Sequence, residues 1–459
     1  MDTTTYRQRR ADLRDQVDDG AILLLGNAEA SRNYADNRYR FRQDSHVLYY
    51  SGVGRPQVAV LIHPDGREVL YGPAEDPDDL IWHGPEPTLA DLAAEAGIAE
   101  TGSRETLGDD LARLAGGGVV VHYLPPYRAD RQLELARLLD LDPVEASTAA
   151  STLLVRVIAH QRSVKTDVEV EEIEEALGVT AEGYRRAMAA TAAGRTEAEI
   201  AAELQTPALA RFRQQAFLPI VSVRGEVLHN EVPRNTLRKG QMMLIDSGAE
   251  SPAFYASDIT RTFPVTGRFD ARQRDVYEVV LRAQKDAIRA ASPAVTNREL
   301  HLKAARVIAE GLADIGLMRG DLDAAVESGA HALFFPHGLG HMLGLDVHDM
   351  EDLGDVVGYD PDERRSEQFG LAALRLARRL EPGFVITVEP GVYFIPALID
   401  RWRAERRHAE FIAYDRLDEW SDFGGIRIED DVLITAAGSR VLGPGIPKEV
   451  DEVEAAVGG

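Results

Sequence analysis

Two periodicities divide the chain. In the first third, apolar runs of strand length alternate with helical patterns. Residues 21–26, Ala-Ile-Leu-Leu-Leu-Gly, predict a short buried strand. Residues 58–62 and 69–71 are apolar and flank His63-Pro64-Asp65-Gly66, which has hairpin-turn chemistry. Residues 89–96 predict a helix and residues 118–123 another strand. This alternation predicts a mixed sheet with helices packed on it. Beyond it, Thr166 and Glu169 have capping-box spacing. Val170, Ile173, Leu177, Tyr184 and Met188 follow at helical intervals, and Gly194 marks the end. Thr196 and Glu199 cap a second helix, and residues 272–291 form a third amphipathic pattern.

Between these helices lie four apolar segments that carry carboxylates. They are residues 242–246, ending in Asp246; 256–263, containing Asp258; 384–391, containing Glu389; and 425–435, containing Glu429. All four read as strands. Period-two alternation puts Arg427 and Glu429 on one face, with Ile426 and Ile428 on the other. Asp258, Thr260 and Thr262 likewise share a face. The segment 335–349 holds three of the twelve histidines, His337, His341 and His348, among glycines at 338, 340 and 344. Those glycines oppose a regular helix, so a loosened strand or loop is expected. On its own this segment reads equally well as three histidines on a polar loop.

The carboxylates change that balance. An unpaired buried carboxylate costs several kcal/mol or takes up a proton, and several together repel. Two divalent cations would neutralise four carboxylates, with a neutral His341 as fifth ligand. Such a pair can clamp a hydroxide and polarise the carbonyl it attacks.

Composition narrows the chemistry. There is no cysteine, so disulfides and thiolate metal sites are excluded, and any metal must be held by carboxylates and imidazoles. That donor set favours harder ions such as manganese. The formal net charge of −25 argues against nucleic acid or an anionic membrane as partner. Lysine occurs only at 165, 239, 285, 303 and 448, while arginine is abundant. An acidic, lysine-poor surface suits a high-salt cytoplasm, and an arginine-preferring genome gives the same bias. The opening residues lack a basic-then-apolar pattern, and no run is apolar enough to span a bilayer, so a soluble cytoplasmic protein is expected.

Asp246, Asp258, His341, Glu389 and Glu429 occur in the order and surroundings of the pita-bread metallopeptidases, and the sequence resembles that family's aminopeptidase P and prolidase members. The resemblance rests on Leu228-His229, Ile245-Asp246-Ser247-Gly248, residues 258–264, residues 337–349, Val388-Glu389-Pro390-Gly391 and residues 425–430. It covers nearly all of the catalytic half, and Arg42-Gln43-Asp44-Ser45 extends it to the N-terminal part. It implies an α/β fold with an N-terminal creatinase/prolidase-like domain (1–155), a linker (156–165), a pita-bread catalytic domain (166–450) and an acidic tail (451–459).

The resemblance further implies two divalent ions per subunit, manganese first, with cobalt, zinc or iron as alternatives. Asp258 and Glu429 are expected to bridge them, Asp246 to chelate one, and His341 and Glu389 to hold the other. Glu389 would also move the proton, His348 and His229 would bind the scissile peptide, Arg427 would orient the carboxylates, and His337 is an outer histidine. The implied substrates are peptides with proline in second position, the implied activity is Xaa-Pro aminopeptidase, and the implied assembly is a homodimer or homotetramer. The alternative is an Xaa-Pro dipeptidase, in which Arg375 binds the dipeptide carboxylate; Arg375 also reads as a solvated helix arginine. A non-catalytic peptide-binding module is more remote, because no ligand position is lost. One departure is visible: the Asp246–Asp258 spacing is one residue longer than in relatives, with the extra residue expected in the turn at Ser251-Pro252.

Overall fold

The computed structural model of the chain describes residues 1–74 and 78–457. It divides into two compact units, the first formed by Met1–Arg162 with Asp352–Val356 and the second by the rest of the chain. The first unit's main segment ends at Arg162, inside the stretch 156–165 expected as a linker. A helix, Thr152–Ser163, occupies it, because Leu154 and Ile158, four residues apart and fully buried, give the segment a helical apolar face.

The first unit is a five-stranded mixed sheet. Its strands are β1 (Gly20–Leu25), β2 (Ala59–Ile62), β3 (Glu68–Gly72), β4 (Glu100–Ser103) and β5 (Val120–Tyr123), in the order β4-β3-β2-β1-β5. β1 and β2, and β2 and β3, pair antiparallel, whereas β1 with β5 and β3 with β4 are parallel. β1 is buried along its whole length, as its unbroken apolar run requires. The β2–β3 turn closes at Gly66, which takes a φ of 87°. The helix Leu89–Ala96 starts with a Thr88–Asp91 capping box. The opening helix, Thr3–Gln16, has no apolar stripe in sequence; its buried Arg10 donates to the carbonyls of Tyr50 (2.7 Å) and Ala96 (3.0 Å).

The second unit carries its strands in small sheets beside long helices. β6 (Ile220–Ser222), β7 (Met242–Ser247) and β8 (Ile259–Pro264) form one antiparallel sheet. β9 (Val385–Val388), β12 (Asp430–Thr435) and β13 (Gly438–Val441) form a second, and β10 (Gly391–Tyr393) pairs with β11 (Gly425–Arg427). The stretch 425–435 is thus two strands broken at Ile428-Glu429. Asp167–Ala190, Glu197–Ala210, Ala271–Ala290 and Asn297–Asp314 are the long helices, each begun by a capping box.

The sheets are tied together by the buried Arg261. Its guanidinium donates to Asp430 Oδ1 (2.7 Å) and to the carbonyl of Glu429 (2.6 Å), fixing β8 against the start of β12. Between Asp246 and Asp258 the chain turns at Ser251–Phe254, where Phe254 takes a φ of 68° and its N–H donates to the Ser251 carbonyl. The end of the chain also differs from expectation. Within 451–459, the part described is not a frayed tail: Val450–Ala456 is a helix with Val453 fully buried and Glu454 paired with Arg268 and Arg274, while residues 458–459 lie outside the described set. Among the described residues no helix is long and apolar enough to cross a membrane.

Candidate active site and metal centre

Each charged group of the site is presented by the end of an apolar strand. Asp246 is the penultimate residue of β7, opposite Thr260 on β8 and Ile220 on β6. Asp258 immediately precedes β8, and its N–H donates to Asp431 Oδ2 at 3.0 Å. Glu389 follows β9, its N–H held by the Leu339 carbonyl at 2.7 Å. Glu429 sits in the break between β11 and β12, its N–H bound to the Thr260 carbonyl at 3.1 Å. The strands bury the neighbouring apolar side chains, so these carboxylates are carried inward with them.

The histidine segment is a loop, as its glycines require. It is pinned to β9 by reciprocal bonds: the Thr387 N–H donates to the His341 carbonyl (3.0 Å) and the His341 N–H to Thr387 Oγ1 (3.1 Å). Gly340 permits this approach, because a Cβ there would lie 1.9 Å from the Thr387 carbonyl oxygen. Behind the loop, Asp349 makes a buried ion pair with Lys165 at 2.9 Å.

All ten residues singled out from sequence line one cavity of about 450 Å³: Asp246, Asp258, His341, Glu389, Glu429, Arg427, His229, His337, His348 and Arg375. At its floor, ligating atoms of Asp258, His341 and Glu429 lie within 4.8 Å of one another. His341 Nε2 is 3.4 Å from Asp258 Oδ2 and 3.8 Å from Glu389 Oε1. His341 Nδ1 is 3.0 Å from the Met342 carbonyl, which places its proton on Nδ1 and leaves the Nε2 lone pair facing the carboxylates. Arg427 binds the other side of the cluster. It donates to Asp246 Oδ2 (2.5 Å), Thr260 Oγ1 (3.0 Å) and the Tyr393 hydroxyl (3.0 Å), and Thr260 in turn donates to Glu429 Oε2 (2.7 Å).

One buried oxygen of each of Asp246, Asp258 and Glu429 has no protein partner. Buried carboxylate oxygens are seldom left so. Desolvation is the main cause that pushes the Asp258 and Glu429 carboxyls well above the usual range, and their mutual repulsion with Asp246 and Glu389 adds to it. Burial also raises Glu389 to about 8, against the opposing pull of Arg427. His341 is lowered to about 4 by burial, which keeps its ring neutral. Orphaned oxygens, protonation-prone carboxylates and a neutral imidazole with a free lone pair are the donor set of a hard divalent cation site.

His348 presents Nδ1 to Glu351 Oε2 at 2.7 Å and stacks edge-on against His341, ring centres 4.3 Å apart. His337 contacts the Tyr393 hydroxyl through Nε2 at 2.8 Å. His229 is exposed on the cavity wall. Arg375 is not on a helix; it lies in the irregular stretch after Leu371–Ala373, half-exposed, 3.5 Å from Glu351. Sequence reading gave no role to Thr260, Tyr393 or Glu351. Thr260 shares the Asp258 face of its strand, and that alternation was the signal available for it. Nothing local marks Glu351 or Tyr393, whose partners are distant in sequence.

Residues 171–436 match the model of metallopeptidase family M24, and residues 6–122 match the aminopeptidase P N-terminal domain. An Xaa-Pro dipeptidase of Homo sapiens is 33% identical over 454 residues, covering 96% of this chain and 90% of the relative. An Xaa-Pro aminopeptidase of Haemophilus influenzae is 29% identical over 462 residues, covering 98% and 96%. Among solved structures, a Pseudomonas aeruginosa aminopeptidase aligns with a TM-score of 0.81 at 30% identity, covering 99% of this chain and 98% of that one. Zinc-substituted Escherichia coli aminopeptidase P in complex with product aligns with a TM-score of 0.81 at 28% identity, with the same coverage.

Proposed function

We propose that this chain, which belongs to metallopeptidase family M24, is a two-metal Xaa-Pro aminopeptidase of the cytoplasm, releasing the first residue of peptides that carry proline second. The observation that carries this reading is the set of partnerless buried oxygens on Asp246, Asp258 and Glu429, residues that with His341 line a cavity large enough for a short peptide. Asp246, Asp258, His341, Glu389 and Glu429 would together hold two divalent ions. Manganese suits this all-oxygen-and-imidazole set, and cobalt, zinc and iron are the alternatives. When bound, the ions bring a water close to neutral pKa and polarise the carbonyl it attacks.

The protein's own groups do the rest. Glu389 accepts a proton from the attacking water and gives it to the departing proline nitrogen. His348, its Nδ1 committed to Glu351, meets the scissile peptide through Nε2, and His229 does so from the opposite wall. Arg427 holds Asp246 in place while Thr260 holds Glu429, so the carboxylates do not reorganise during turnover. A homodimer or homotetramer, which the resemblance implies, belongs to the same reading.

The second reading is an Xaa-Pro dipeptidase, favoured by Arg375 in the cavity wall and by the human relative's name. Protein stripped of metal and reloaded with manganese is assayed on Ala-Pro and Ala-Pro-Ala. Cleavage of the tripeptide is expected. Cleavage of Ala-Pro alone establishes the dipeptidase, and cleavage of neither overturns both readings.

A further inference from the structure

The cavity wall contains two guanidinium groups, and they differ in how fully they are occupied. Arg427 is buried and spends its donors on Asp246, Thr260 and Tyr393. Arg375 is half-exposed, and its one ion-pair partner among the described residues is Glu351, at 3.5 Å. A dipeptide bound across the scissile bond ends in a carboxylate one residue beyond it, roughly 3.5 Å further along the chain. Arg375 is the cation in the wall still able to receive that carboxylate. A longer peptide has a neutral amide at the same place.

Glu351 is placed to tell the two apart. Its Oε2 is 2.7 Å from His348 Nδ1 and its Oε1 faces Arg375, so both oxygens are engaged and the side chain is held at this position. We propose that Glu351 is a specificity-determining residue that screens Arg375 and disfavours dipeptides against longer peptides. A carboxylate arriving at Arg375 comes within several ångströms of the Glu351 carboxylate. It must either tolerate that like charge or displace Glu351 and break its bond to His348. An amide at this point meets neither penalty. In a half-exposed site, like charges roughly 5 Å apart differ from a neutral group by about a tenfold change in affinity. This inference rests on the proposed peptide site.

The test uses full-length protein, stripped of metal for the binding step so that neither ligand is turned over, and two ligands that differ only in the charged group, Ala-Pro and Ala-Pro amide, with affinities read by calorimetry. Glu351→Gln removes the charge and keeps an oxygen to accept from His348. It is expected to tighten Ala-Pro about tenfold relative to Ala-Pro amide, and to raise the Ala-Pro to Ala-Pro-Ala ratio of kcat/KM by a similar factor, through KM. Adding Arg375→Gln should erase the gain. Taking the ratio cancels any change transmitted through His348, which strikes both ligands alike. Equal changes for the two ligands, or none, overturn the inference. If the binding ratio shifts while wild-type protein cleaves neither peptide, the catalytic reading falls and the role of Glu351 in ligand choice stands.

Discussion

Stripping the metal should make the stability of the catalytic unit fall with pH, in a window that the site itself defines. Glu389, Glu429 and Asp258 all have carboxyls raised by burial. A raised carboxyl binds its proton more tightly folded than unfolded, so its contribution is present at low pH and is lost as pH climbs to the folded value. His341, lowered to about 4, and His337 and His348, lowered to about 3, work in the opposite sense. Their contribution grows with pH and is complete above the ordinary histidine value of about 6.5. Below pH 6.5 the two sets oppose each other. Between about pH 6.5 and 8 only the carboxyls act. With Glu389 at about 8, that residue alone removes on the order of 2 kcal/mol across this interval, and Glu429 and Asp258, raised in the same direction, add to the fall. Bound cations stabilise the ionised forms and cancel it. Denaturant unfolding, followed by fluorescence of the buried Trp402 and Trp420, reads the catalytic unit. A metal-free protein whose stability stays flat or rises from pH 6.5 to 8, or a manganese-loaded protein that falls equally, would refute the reasoning.

Three further outcomes are expected. Arg427→Lys loses the fork that joins Asp246, Thr260 and Tyr393. It should weaken metal affinity about 10- to 100-fold, and a metal titration showing unchanged affinity would count against the orienting role. Gly340→Ala puts a Cβ 1.9 Å from the Thr387 carbonyl oxygen, so the His341 loop must lift off β9. Stability should drop by about 1–3 kcal/mol and peptidase activity by more than tenfold, where an unaltered enzyme would show the loop to be free. The net charge of −25 with only five lysines predicts activity retained in molar potassium chloride, where self-repulsion is screened; inactivation there removes the high-salt argument.

Much of the site was legible because its residues sit on short, strongly patterned segments. Apolar strands that end in carboxylates are anomalous one by one, and four of them, with three histidines among glycines, mark a cavity before any coordinates exist. The fold was legible to the same degree where periodicity is strong, as in β1 and the capped helices Asp167–Ala190 and Glu197–Ala210. It was not legible where burial is polar. The opening helix Thr3–Gln16 is anchored by a buried arginine, so it lacks the apolar stripe that signals a helix in sequence. The closing helix Val450–Ala456 is short, with Val453 and Val457 its well-buried side chains, and it docks as much through the Glu454 ion pairs.

The sequence by itself determined which groups come to line the cavity, because a buried carboxylate or imidazole must be encoded residue by residue and its burial follows from the apolar neighbours beside it. Only the tertiary structure decided how those groups are held. Arg427 meets Asp246 across 181 positions and Thr260 meets Glu429 across 169. Glu351, three residues from His348, acquires a second partner in Arg375 only when the loops close over the cavity. Such pairings depend on where separate strands and loops come to rest against one another, and no local pattern of hydrophobic and polar positions fixes that.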